Sequence, residues 1–313
     1  MDVLHGLAPS PIDGGAAVTV GFFDGVHLGH RALLERTVAA ARERSLRSVA
    51  LTFDRHPREI LTPGNEPRLL TTLERRIELI GQTGIDRLVV LAFTEELSQR
   101  SARWFVDEVL VGAVGVRHAI VGANFTFGHR ALGTVEVLEE LGGERGFSVE
   151  TMGLLELDGR PVSSSSIRES LAAGDLAWPE RALGRRHAVE GRVVSGAGRG
   201  VGLGYPTANL ETEPRLLLPG NGIYAGAASI DSGTKVAAIS VGTNPQFGSE
   251  PLHVEAYLLD FHGDLRGREV QVEFWERLRD EATFGSVEEL RRAIADDVQR
   301  TREIVRVPEG RPA

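Results

Sequence analysis

The 313 residues read as an α/β half followed by an all-β half, and three observations carry that expectation. Between Ala16 and Met152, short apolar runs alternate with stretches of helical spacing. Strands and helices joined by short loops build a parallel sheet with helices on both faces. After about Gly174 the pattern changes to short alternating runs separated by turn residues, which suits a small antiparallel barrel. The last stretch returns to helical spacing, so one C-terminal amphipathic helix closes or flanks the barrel.

Bulk properties narrow the function. A chain of this length has a prior of about two domains, each able to form its own core. The formal net charge of −9 excludes a broad electrostatic footprint for nucleic acid. The absence of cysteine excludes disulfides and cysteine-ligated zinc or iron–sulfur centres. The first residues, MDVLHGLAPSPIDGG, lack the basic and apolar blocks of a signal peptide. No apolar run approaches the roughly 20 residues that span a bilayer. The expectation is a soluble cytoplasmic protein that acts on small molecules, with no nucleic-acid or membrane partner.

In the first half, Ala16 to Val20 reads as a strand that enters GFFDGVHLGH, Gly21 to His30. A helix leaves this motif, with Leu34, Val38 and Ala41 at helical spacing. Ser48 to Phe53 is a buried strand ending in FDRHP, and Thr72 to Gln82 is a helix with Leu73, Ile77 and Ile80 on one face. Arg87 to Phe93 is a strand and Ala102 to Val111 a helix. Strand Ala119 to Val121 then enters GANFTFGHRALG, before a helix over Val135 to Leu141 and a strand near Phe147 to Met152.

Ligands of such sheets bind beyond the carboxyl ends of the strands. Three clusters fall there: Asp24/His27/His30, Asp54/His56, and Asn124 to His129. The first combines two histidines, close-approach glycines and a helix N-terminus, whose free N–H groups and dipole hold phosphate. A fourth piece is SSSSIR, Ser163 to Arg168, where hydroxyls ahead of a helix would carry an arginine toward phosphate oxygens. No GxxxxGK[ST] P-loop is present.

GFFDGVHLGH, FDRHP, VGANFTFG and SSSSIR, in this order, resemble the N-terminal module of the bifunctional riboflavin kinase/FMN adenylyltransferases, the bacterial FAD synthetases. That module is similar to the Rossmann-like nucleotidyltransferases with an H-x-G-H signature. The resemblance implies adenylyl transfer: the FMN phosphate attacks the α-phosphorus of ATP and pyrophosphate leaves, aided by Mg²⁺. It implies that His27 and His30 donate to phosphate oxygens and that Arg168 holds the β and γ phosphates. Gly21, Phe23, Asp24, Gly29, Ser164 and Ser165 would shape the nucleotide site, and Asn124, Phe125, Phe127 and Gly128 the flavin side.

In the second half, GDLAWPERALGR from Gly174 reads as a short helical connector closed by Arg185 and Arg186, with a domain boundary between residues 184 and 185. Strand-like runs follow at Ala188–Val194, Tyr224–Ile230, Lys235–Val241, His253–Leu259 and Glu269–Phe274, with turns such as Asn244-Pro245 between them. The final helix starts at a capping box, Ser286 to Glu289, with Val287, Leu290, Ile294 and Val298 at helical spacing. The chemistry centres on LGYPTANL, where Thr207 and Asn209 are alternate residues and face the same way in an extended segment. A hydroxyl beside an amide suits Mg²⁺ and phosphate oxygens. The preceding glycine loop, with Gly202 and Gly204, could wrap phosphates with backbone N–H groups. Glu255, alone on one strand face, is a candidate general base.

GRGVGLGYPTANL, GNGIYAG, SVGTNPQFG, VEAYLLDFHGDLRG and FWERLRDEATF resemble the riboflavin kinase module of the same family. The resemblance implies that Thr207 and Asn209 coordinate Mg-ATP and that Glu255 accepts the proton of the riboflavin 5′-hydroxyl as FMN forms. Arg291 is a further candidate for the flavin side. Arg55, Gln246 and Arg266 depart from the family pattern, standing where proline, threonine and tyrosine are usual. Two other readings stay open here: a single-activity riboflavin kinase, and a non-catalytic flavin-binding regulator.

Overall fold

Six apolar runs become one parallel sheet in the computed structural model, which describes residues 1–7, 12–196, 199–242 and 252–306. The strands are β1 (Asp2–His5), β2 (Ala16–Val20), β3 (Arg47–Phe53), β4 (Arg87–Leu91), β5 (Val116–Gly122) and β6 (Ser148–Met152). They lie in the order β1-β4-β3-β2-β5-β6, every neighbouring pair parallel. Within the chain, Met1–Ser164 and Ser165–Ala313 form two compact units, and the sheet belongs to the first. Strand β1 went unpredicted, because DVLH is too short to show a period; it pairs along β4, with Asp2 opposite Arg87.

Both sheet faces are covered, as the continuous apolar character of the strands requires. Val18, Val20 and Leu51 point to one side, against Phe105, Val109, Leu110 and Leu138. Ala17, Ala50 and Val90 point to the other, against Leu34, Val38 and Ile80 of the helices Leu28–Glu43 and Leu73–Gly81. The strand order reverses direction between β2 and β5, so the crevice beyond their carboxyl ends is the topological switch point.

The helix expected over Ala102 to Val111 takes another form: it is α-helical over Ala102–Trp104, then π-helical over Phe105–Val114. Its buried residues recur in pairs every four positions: Phe105 and Val106, Val109 and Leu110, Ala113 and Val114. A turn of roughly 3.6 residues would let that stripe drift around the axis, whereas a wider turn keeps it against the sheet. A small hairpin, β7 (Glu156–Leu157) with β8 (Arg160–Pro161), leads to the helix Ser164–Ala172. The serines expected ahead of that helix instead fill its first turn, except Ser163.

In the second unit the helix Ala177–Leu183 precedes a closed antiparallel barrel. Its strands are β9 (Ala188–Val194), β10 (Ala208–Thr212), β11 (Gly222–Ile230), β12 (Gly233–Gly242), β13 (His253–Leu258) and β14 (Glu269–Arg279). Closure runs β10-β13-β12-β11-β14-β9. β14 continues past the expected end at Phe274, because two register shifts against β11 let the pairing carry on to Arg279. The expected Asn244-Pro245 turn and Gln246 lie outside the described residues.

The C-terminal helix Val287–Ile304 begins as its capping box foretells, with Ser286 Oγ accepting the Glu289 N–H at 3.1 Å. Of the apolar stripe that signals it, Leu290, Ile294 and Val298 are half-buried. Val287 is exposed, and the buried positions are Asp297 and Thr301. Asp297 accepts from Arg279 of β14 at 2.7 and 3.0 Å, while Ile304 and Val305 pack on Ala225, Ala227 and Leu278. No helix among the described residues is long and apolar enough to cross a membrane.

One histidine makes the barrel sensitive to acid. His187 is buried, its Nε2 donating to the Leu217 carbonyl at 3.3 Å and its ring stacked on Phe274. Burial pushes its pKa down from 6.5 to about 4. Between these values the unfolded chain binds a proton that the folded chain refuses, so stability falls as pH drops from 6.5 toward 4. Denaturant titrations at pH 7 and pH 5 should show the second unit losing about 2 kcal/mol. His187→Gln should remove most of that pH difference.

Candidate functional site

The junction after β2 is built around buried Asp24. The chain leaves the strand through Phe23 and Val26, both at positive φ, and makes a tight 3₁₀ turn over Asp24–Val26. Gly21 permits this, since a Cβ there would lie 2.8 Å from the Phe23 ring. The Asp24 carboxylate accepts the backbone N–H groups of Leu70 at 3.0 Å and Thr71 at 3.2 Å. Thr71 Oγ1 in turn accepts the Gly25 N–H at 3.2 Å. Asp24 therefore fixes the turn rather than presenting its carboxylate to a ligand, as its charge would also oppose phosphate.

His27 caps the helix Leu28–Glu43, its Nδ1 accepting the His30 N–H at 3.2 Å. An accepting Nδ1 assigns the neutral ring's proton to Nε2, which becomes the ring's donor. The His27 and His30 rings stack with centroids 3.6 Å apart, and Phe23 meets His30 edge-on at 5.4 Å. A Cβ at Gly29 would sit 3.2 Å from the His27 ring, so glycine there leaves that ring room. The first turn of the helix carries no acidic side chain, leaving the positive end of its dipole uncancelled. Two imidazoles and a long helix N-terminus thus converge, and such a set stabilises negative charge.

Neighbouring loops complete the rim. After β3, the Asp54 carboxylate accepts the Phe93 N–H at 2.9 Å, Arg55 pairs with Asp54 at 3.5 Å, and His56 stands edge-on to Phe22 at 4.8 Å. Ser164 Oγ donates to the Asp24 carbonyl at 3.1 Å, bringing the start of the serine run to the junction. Ser165 and Arg168 follow on the same helix and belong to the second unit.

Sequence reasoning missed Arg76. It is buried on the helix Leu73–Gly81 and donates to the Phe22 carbonyl at 3.0 Å and the Phe53 carbonyl at 2.7 Å. Nothing in the pattern of that helix separates Arg76 from Arg75 beside it, since each is one charge in an amphipathic stretch.

After β5 the four flavin candidates separate. Asn124 is exposed and Phe125 half-buried, stacked on Phe127 with centroids 5.3 Å apart. Phe127 packs in the core against Phe105 and pairs through its backbone with Gly133. Gly128 has φ 72, and a Cβ there would meet the Ala102 nitrogen at 2.5 Å. Asn124 and Phe125 are therefore the accessible pair, and Phe127 and Gly128 support them.

In the barrel, β10 and β13 bring the second set together. Asn209 lies opposite Glu255 in the ladder, and Thr207 Oγ1 donates to Glu255 Oε2 at 2.9 Å. His253, two residues along β13, holds Nε2 3.4 Å from Glu255 Oε1. The glycine-rich segment is not the open loop expected: Arg199–Leu203 forms a short helix, and Tyr205 N–H donates to the Gly200 carbonyl at 2.8 Å. Gly204 follows it at φ 87. Arg291 donates to the Gly202 carbonyl at 3.2 Å, tying the C-terminal helix to this segment. Arg266 bonds Asp264 at 2.6 Å on the surface. A hydroxyl, an amide and a carboxylate are hard oxygen donors, the set that Mg²⁺ and phosphate chemistry use.

Asp24→Ala should leave the Leu70 and Thr71 amides without their acceptor and lower the stability of the first unit by about 2 kcal/mol. Denaturant unfolding followed by circular dichroism measures this, and Asp24→Asn should recover part of it.

Comparison with known proteins divides the chain into the same two halves as the fold. The FAD synthetase family model matches residues 10–166 and the riboflavin kinase model residues 183–305. A Pseudomonas fluorescens bifunctional riboflavin kinase/FMN adenylyltransferase is 40% identical over 96% of this chain and 95% of its own length. The Escherichia coli K12 protein of the same name is 33% identical over 96% of each chain. A Streptococcus pneumoniae crystal structure named a macrolide-efflux protein superposes with TM-score 0.86 and 28% identity, covering 96% of this chain and 99% of that one. With both halves matched in order and nearly the full length aligned, the chain belongs to the bifunctional riboflavin kinase/FMN adenylyltransferases, which phosphorylate riboflavin with ATP and adenylylate FMN to FAD.

Proposed function

We propose that FMN is made at Thr207, Asn209 and Glu255 and converted to FAD at the His27/His30 junction, with residues 1–184 and 185–313 as the two catalytic modules. The observation that carries the kinase assignment is the Thr207–Glu255 contact opposite Asn209. Thr207 gives its proton to Oε2, so its oxygen lone pairs stay available to a cation and the carboxylate is held in one orientation. Glu255 takes the proton of the riboflavin 5′-hydroxyl as that oxygen attacks the γ-phosphorus of ATP; the P–O bond to ADP breaks as the new one forms. Thr207 and Asn209 supply the oxygen donors that would hold Mg²⁺, which neutralises charge on the phosphate chain when bound. Gly202 and Gly204 border the nucleotide, and Arg291 acts by holding the Gly202 segment at the flavin side.

At the junction, His27 Nε2–H, His30 and the N–H groups of the helix N-terminus stabilise negative charge as an FMN phosphate oxygen attacks the α-phosphorus and pyrophosphate leaves. Gly21, Phe23, Asp24 and Gly29 shape this cradle; Ser164, Ser165 and Arg168 hold the outer phosphates. Asn124 and Phe125 contact the flavin, backed by Phe127 and Gly128. This reading places both reactions in the cytoplasm, on diffusible substrates.

Chromatographic resolution of flavins after incubation with Mg-ATP tests both assignments. Glu255→Gln should slow FMN formation about a thousandfold while FAD still forms from supplied FMN at the original rate. His30→Ala should slow FAD formation about a hundredfold and let FMN accumulate. Loss of both activities in a folded single variant contradicts two separate sites.

A further inference from the structure

Among the fully buried side chains Arg76 is the largest, 2% exposed, and it is a cation. Among the described residues no carboxylate comes within ion-pair distance of it, and its Nε has no hydrogen-bond partner. Its guanidinium lies 4.1 Å over the Phe22 ring and spends its two terminal nitrogens on the carbonyls of Phe22 and Phe53. Burial lowers its pKa to about 10, opposed by the charges of Asp24 and Asp54, so it stays protonated at neutral pH. Burying an unpaired charge is costly, and an apolar residue of similar size would often serve stability better.

The two carbonyls explain why arginine is there. Phe22 stands two residues after β2, at the head of the turn that carries His27 and His30; Phe53 ends β3, at the head of the loop that carries His56. The Phe22 carbonyl also accepts Thr52 Oγ1 at 3.1 Å, and the Phe22 ring meets His56 at 4.8 Å. One planar fork therefore spans two adjacent loops from below. A guanidinium reaches both acceptors in a fixed geometry, which an ammonium on a flexible stem does not.

The geometry points to Arg76 as a positioning residue for adenylyl transfer, holding the loops after β2 and β3 at the separation at which their donors meet the ATP phosphate chain. This rests on the assignment of that reaction to the His27/His30 junction. Misplacing donors by a fraction of an ångström weakens transition-state contacts more than ground-state binding.

The test is steady-state FAD formation from FMN and Mg-ATP by full-length Arg76→Lys and Arg76→Gln, with His30→Ala in parallel and riboflavin phosphorylation by the same chain as the measure of intact protein. Arg76→Lys keeps the charge but loses the fork, and should lower kcat about 10- to 100-fold while KM for ATP changes less than about threefold. Arg76→Gln should lower kcat at least as far. Wild-type kcat in Arg76→Lys overturns the inference, as does a lowered melting temperature with kcat per folded chain unchanged. If Arg76→Gln does not fold, Arg76→Lys alone decides. If His30→Ala retains FAD formation, the junction assignment fails instead; if it loses FAD formation while Arg76→Lys does not, only the role of Arg76 falls.

Discussion

In the first unit the buried carboxylate of Asp24 sets the geometry of the turn after β2. Its bonds to the Leu70 and Thr71 amides hold a turn in which Phe23, Gly25 and Val26 all take positive φ. Such a backbone persists only when its surroundings over-determine it. Once the turn is fixed, His27 falls at the cap of a long helix and His30 stacks against it. The strained turn and the placing of the two histidines therefore have one origin.

The barrel reaches a comparable result by different means. Strand pairing brings Asn209 opposite Glu255, and Thr207, the residue before β10, reaches the same carboxylate through its hydroxyl. No strained turn is needed, because the ladder itself sets the register and one side-chain hydrogen bond orients the carboxylate. The two proposed sites thus use two kinds of scaffold, a helix N-terminus beyond a parallel sheet and a ladder in a closed barrel.

Much of this was legible in the sequence where local pattern and global fold agree. The alternation of strands and helices gave the parallel sheet, and the clusters at Asp24, Asp54 and Asn124 fell at adjacent strand ends. What stayed hidden depends on contacts distant in sequence. Arg76 looks like any charge on an amphipathic helix until the Phe22 and Phe53 carbonyls arrive beside it. Phe127 and Gly128 share a motif with Asn124 and Phe125, yet close packing on Phe105 and Ala102 turns them inward. The C-terminal helix was recognised by its cap and apolar spacing, whereas the burial of Asp297 between Ile294 and Val298 depends on Arg279 of β14.

The central proposal is that the two reactions use separate sites and that FMN links them as a free product and substrate. Mixing Glu255→Gln chains with His30→Ala chains in the presence of riboflavin and Mg-ATP tests it directly, by following all three flavins with time. The account predicts that the mixture makes FAD after a transient rise of free FMN, although neither chain alone converts riboflavin to FAD at an appreciable rate. A mixture that makes no more FAD than the separate chains would contradict it.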